Sequence, residues 1–122
     1  MTRRRYAVWI DHKEAKIFHL GPEGYEQSTL RLPEHQLARN QHERASSELV
    51  FHDVSTRLEA ADEVLALGPT SERTDFLRYV HEHERDLAPK IVGVEKFHEA
   101  TNVQLIEYAR AYFDEKDSPL RG

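Results

Sequence analysis

"EVLALGPTSERTDFLRYV", residues 63–80, carries two periods in succession. Residues 63–68 are a short apolar run that stops at Gly68. A run of this length, bounded by Gly-Pro, reads as a buried strand. From Pro69 the pattern changes. Phe76, Leu77, Val80 and Leu87 recur at helical spacing, which predicts a helix over 69–87 with Pro69 near its start. A strand leading straight into a helix is half of a βαβ unit.

The second half follows. "KIVGVEKF" (90–97) reads as another strand. "TNVQ" (101–104) is a capping box, with Thr101 as N-cap and Gln104 reaching back. Leu105, Ile106, Ala109, Tyr112 and Phe113 then keep helical spacing to residue 113. Residues 114–122 are a polar tail expected to fray.

Upstream, "RYAVWID" (5–11) and "EAKIFHL" (14–20) flank a tight turn, with Asp11 suited to its first position. "GPEG" (21–24) is a second turn and "YEQSTLRL" (25–32) a third strand. Val50, Val54, Leu58 and Ala61 share one helical face behind an N-cap at Ser46 or Ser47. The element order is β-β-β-α-β-α-β-α. It predicts an α/β fold of ribonuclease-H-like type: a mixed five-stranded sheet, helices on its faces, strands one, four and five parallel. Val64, Leu65, Ile91 and Val92 should be largely buried. The 122 residues fit a single domain, 1–122, with its core at about 5–113.

Composition narrows function. Charged residues are 32% and the formal net charge is −5, which argues against bulk attraction to nucleic acid or anionic membrane. "TRRRY" (2–6) is the basic exception. Its plainer reading is a solvated terminus beside the first strand, and its sharper one an arm on phosphate. With no cysteine, disulfides and thiolate chemistry are excluded. No apolar run approaches the length of a membrane span and no signal-peptide core is present, so the expected setting is cytoplasmic, with no membrane partner.

Four patterns, "AVWIDHKEAKIFHL", "LALGPTSERTDFLRYV", "LAPKIVGVEKF" and "TNVQLIEYARAYF", occur in this order over about residues 6–113. Together they resemble small bacterial proteins related to the middle domain of archaeal and eukaryotic class I peptide release factors and of Pelota, often labelled translational machinery proteins. The resemblance implies a translation-associated, ribosome- or RNA-binding role. It also implies that the segment before the first long helix is the contact element. In release factors that segment carries a Gly-Gly-Gln tip that helps water release the peptide from tRNA. Here it reads "EHQLARNQHERASS" (34–47), without Gly-Gly. Glycines let the backbone approach the ester closely, so peptidyl-tRNA hydrolysis is not expected.

Residues 33–46 are therefore expected to be a polar contact loop, weakly ordered without a partner, with His35, Arg39, Asn40, Gln41, His42 and Arg44 as its RNA- or partner-binding side chains. Arg and amide side chains suit phosphates and base edges, and His can stack on a base. A mobile, solvated connection is the plainer alternative. At the strand-to-helix turn, Thr70, Ser71 and Arg73 are a candidate anion site, beside the plainer reading of an ordinary turn.

No catalytic residue, metal site or cofactor is assigned. His81 and His83 in "HEHE" point about 200° apart on a helix and cannot share an ion. A two-metal nuclease needs an acid within the first strand, and Asp11 lies beyond it. Two further readings stay open: a hydrolase acting on RNA or nucleotides through loop His and acidic residues, and a stress-related protein-binding module. The sequence leaves the oligomeric state open.

Overall fold

A computed structural model describes residues 3–32, 41–98 and 101–117; of residues 41–47 it describes the backbone alone. The elements run β1 (Arg5–Ile10), β2 (Glu14–Leu20), β3 (Tyr25–Arg31), α1 (Gln41–Arg57), β4 (Glu63–Gly68), α2 (Glu72–His83), a 3-10 turn (Ala88–Lys90), β5 (Ile91–Lys96) and α3 (Asn102–Asp117). The sheet order is β3-β2-β1-β4-β5. β2 is antiparallel to β1 and β3, while β4 is parallel to β1 and β5. This is the ribonuclease-H-like mixed sheet that the element order predicts.

Alternation along β1 divides the core in two. Val8 and Ile10 point toward α1 and α2, where they meet Ile17, Val54, Leu58, Val64, Phe76 and Val80. Ala7 and Trp9 point to the other face and meet Phe18, Leu65, Leu67, Leu105, Ile106, Ala109 and Phe113. Helices cover both faces, so the central β4 is buried at every position and reads as a continuous apolar run rather than an alternating one. β5 departs from expectation: Ile91 and Val92 are only half-buried. It is an edge strand, with no further strand beyond it among the described residues.

Three boundaries also shift. α1 begins at Gln41, so the second half of the expected 33–46 loop is helical backbone. Gln41, Glu43, Arg44 and Ala45 are good helix formers, and polarity alone does not make a loop. α2 is shorter than 69–87. Pro69 and Thr70 belong to the turn before it, and the chain leaves the helix at Glu84, five residues ahead of Pro89, which cannot continue a helix. Leu87 is still buried, from the following turn. α3 runs on to Asp117 instead of ending at 113, because its last turn is tied to β1 and β4 by ion pairs. Its start follows the expected capping box. Thr101 N–H donates to Gln104 Oε1 at 3.0 Å, and Gln104 N–H donates to Thr101 Oγ1 at 3.2 Å.

Candidate functional site

β1, β3, β4 and β5 all run the same way, so their carboxyl ends meet at one rim of the sheet. In open α/β sheets this is the end where ligands are usually bound. The segment after β3 departs from it. Three backbone contacts join the turns of this rim. Leu32 N–H donates to Lys13 O at 2.9 Å, which fixes the exit from β3 against the β1–β2 turn. Phe97 N–H donates to Gly68 O at 2.9 Å, joining the ends of β5 and β4. Gly68 itself lies against β1: a Cβ at this position would sit 2.2 Å from the Ile10 carbonyl oxygen. Only glycine fits there.

Asp11 organises the β1–β2 turn as its position predicts. Its Oδ1 accepts from the N–H groups of Lys13 and Glu14 at 2.8 and 2.9 Å, and its Oδ2 accepts from Trp9 Nε1 at 3.0 Å. Burial acts to raise its pKa, but these bonds outweigh burial and hold the carboxyl below its ordinary value.

Among the described residues, the acidic side chains Glu72 and Glu95 near the rim are engaged within the fold. Glu72 is buried and accepts from the Thr70 hydroxyl. Glu95 accepts from the Tyr108 hydroxyl. Lys13, Arg31 and Lys96 are exposed, as are His12 and His98. Lys13, Arg31 and Lys96 form no ion pair among the described residues. The rim therefore presents three exposed cations, although the chain carries a net charge of −5.

The sequence-predicted residues fall as follows. His35, Arg39 and Asn40 lie outside the described residues. Gln41, His42 and Arg44 are on the first two turns of α1, and their side chains lie outside the description too. The same holds for the expected weak ordering of 33–40. Thr70, Ser71 and Arg73 do come together at the rim, bonded within their own turn. Arg73 donates to Thr70 O at 2.5 Å and to Gly68 O at 3.4 Å, and the Ser71 carbonyl accepts from Thr74. The "HEHE" histidines diverge as expected. His83 packs on the Tyr79 ring with centroids 4.9 Å apart, and Glu84 bonds both the Tyr79 hydroxyl and His52 at 3.0 Å. Burial and this carboxylate push the Tyr79 hydroxyl up to about 12. Lys13, Arg31, Lys96, His12 and His98 are missing from the sequence-derived set. They are scattered singly along the chain, and only the strand directions bring them to one rim.

The first three arginines sit at the opposite end. Arg5 is pinned there by a bidentate pair with Asp117, both contacts 2.6 Å, by Glu63 at 2.8 Å, and by the Phe113 ring 4.9 Å away. Arg3 and Lys116 each reach Glu63 at 3.2 Å. Burial alone would raise the pKa of Glu63. The bonds from Arg5 and Lys116 reverse that and hold it below the carboxylate norm. Of the three arginines, Arg4 alone has an exposed side chain without a partner among the described residues.

No family model matches the chain, and no curated protein matches it either. Solved structures do share its fold. Pelota from Archaeoglobus fulgidus superposes with a TM-score of 0.71 at 18% identity, over 95% of this chain and 33% of that one. Archaeal Pelota in a model of ribosome-bound Pelota and ABCE1 gives 0.61 at 19% identity, over 91% and 34%. The archaeal translation termination factor aRF1 gives 0.53 at 13% identity, over 92% and 39%. This chain thus has the fold of one part of these proteins and spans a little over a third of their length at most.

Proposed function

We propose that this chain is a non-enzymatic, ribosome- or RNA-binding domain that meets phosphate through the exposed cations at the carboxyl end of its sheet. The observation that carries the reading is the exposure of three cations at that rim. The described carboxylates Glu72 and Glu95 bond within the fold, and Lys13, Arg31 and Lys96 face solvent at the point where the polar segment leaves β3. Exposed cations at strand ends and turns, without an ion pair among the described residues, suit phosphate contact, which positions a protein on RNA without reading sequence. His35, Arg39, Asn40, Gln41, His42 and Arg44 supply base-edge and stacking contacts in this proposal. The shared fold with ribosome-bound archaeal Pelota supports a translational setting.

Peptide release is not part of the proposal. The glycines are Gly21, Gly24, Gly68, Gly93 and Gly122, so the chain contains no Gly-Gly pair. A reconstituted assay should give no peptide release above background. Release abolished by Gln41→Ala would overturn this point.

The test of the main reading is co-sedimentation with ribosomes over a range of salt concentrations. Phosphate-mediated binding should weaken steeply as salt rises. If the chain fails to pellet with ribosomes and to bind ribosomal RNA even at low salt, the reading fails, and a protein partner becomes the better account.

A further inference from the structure

We propose that this chain forms a symmetric dimer by pairing β3 edge to edge, antiparallel, with β3 of a second copy. β3 is an outer strand of the sheet. It pairs with β2 in one unbroken register from Tyr25↔Leu20 to Arg31↔Glu14. Five of its seven residues are exposed. Open edges of this length are templates for another strand. Proteins usually blunt them with proline, lysine, a bulge or a covering element. Tyr25–Arg31 contains no Pro, no Lys, no Gly and no bulge. The other edge is protected. β5 carries a register irregularity opposite Val64/Leu65, and Gly93 lies beneath the Tyr112 hydroxyl.

The direction of the free backbone groups follows from the hairpin. Gly21 N–H donates to Gly24 O, and Leu32 N–H donates to Lys13 O. Both bonds lie on the register of the β2–β3 pair, so the even-numbered residues of β3 are the hydrogen-bonded ones. Bonded and non-bonded positions alternate in an antiparallel pair. The N–H and C=O groups of Tyr25, Gln27, Thr29 and Arg31 therefore point outward.

A two-fold axis through Ser28 brings these four into register. Tyr25 then faces Arg31 of the second copy, and Gln27 faces Thr29, in bonded pairs worth about eight hydrogen bonds in all. Ser28 meets Ser28 at the non-bonded position on the axis. Like charges never face each other in this register, since Arg31 faces an uncharged Tyr25 and Glu26 an uncharged Leu30. Because the axis pairs β3 with β3, the contact is isologous and closes at two copies instead of growing into a fibre.

Sedimentation equilibrium of the full chain tests the proposal. The wild type should show twice the chain mass. Thr29→Pro removes an outward N–H that β2 does not use, and Ser28→Lys sets two ammonium groups against each other on the axis. Both should give the monomer mass with an unchanged far-UV spectrum. Since the chain has no cysteine, a disulfide can read the register. Ser28→Cys places two Cα atoms about 4.5 Å apart, within bridging range. Thr29→Cys leaves its pair roughly 8 Å apart, from a rise of about 3.4 Å per residue, beyond the limit of about 7 Å. Mild oxidation should therefore link Ser28→Cys at least about tenfold faster than Thr29→Cys. A wild type that stays monomeric up to about 1 mM, a dimer that Ser28→Lys leaves intact, or equal cross-linking of the two cysteine variants would overturn the proposal.

Discussion

The two ends of the sheet hold similar numbers of cations and use them oppositely. At the amino end of β1 and β4, Arg3, Arg5 and Lys116 converge on Glu63, and Arg5 also grips Asp117. At the carboxyl end, Lys13, Arg31 and Lys96 face solvent while nearby carboxylates bond inward. Three consecutive arginines look like the nucleic-acid arm of this chain. Two of them are ion-paired to the fold, and dispersed single cations are the ones exposed at the other end. A basic run thus says little about binding until the positions of the acids are known.

The sharpest way to break this comparison is at Glu63. It is an acid shared by three partly exposed cations, so Glu63→Ala should cost about 1.5–3 kcal/mol, the worth of hydrogen bonds to a charged group. Urea unfolding measures it. A loss below about 0.5 kcal/mol, typical of a surface site, would show that the amino-end network is decorative.

At the rim, the decisive structural position is Gly68. Gly68→Ala drives a methyl into the Ile10 carbonyl. Overpacking of this kind costs about 1–3 kcal/mol. Because the clash is with backbone, β1 and β4 must separate, and amide exchange should quicken at Ile10 and Asp11. Exchange unchanged at both would show that the two strand ends are not in contact.

Acid sharpens the contrast further. Glu63 has a folded pKa below the ordinary carboxylate value, so the unfolded chain takes up its proton first. Its contribution is complete above about pH 4.5 and is lost as pH falls through the folded pKa. Asp11 shifts the same way. Stability should therefore fall on acidification below about pH 4.5. Glu63→Gln should flatten that dependence, measured as urea midpoints from neutral to acid pH. An equally steep dependence in the variant would remove Glu63 from the account.

Most of the fold is legible in the sequence because burial writes itself as period. The alternation of β1 and β2, the unbroken apolar run of β4 and the Thr101–Gln104 box each have a local cause. What was illegible depends on partners far along the chain. The extension of α3 to Asp117 depends on Arg5, 112 residues away. The half-burial of Ile91 and Val92 depends on β5 being an edge. The early start of α1 was hidden by a different conflict, since Gln41–Ser46 is polar enough to read as loop while its helix propensity is good. The rim was the least legible part, because Lys13, Arg31 and Lys96 carry no motif and meet only through the topology.

The smallest stability effects belong to the open cations. Lys13→Ala, Arg31→Ala and Lys96→Ala should each move stability by no more than about 0.5 kcal/mol, in contrast to Glu63. Thermal unfolding of the single variants checks this. A larger loss would mean that the rim cations serve the fold after all.

The most direct test of the central claim measures ribosome or ribosomal RNA affinity against salt for three proteins: the wild type, Lys13→Ala/Arg31→Ala/Lys96→Ala, and Arg4→Ala. The account predicts that the triple variant binds more weakly and loses up to about two to three units of the log–log salt slope, roughly 0.7–0.9 per phosphate contact. Arg4→Ala should stay close to wild type. Unchanged affinity and slope in the triple variant, or the larger loss in Arg4→Ala, would contradict it.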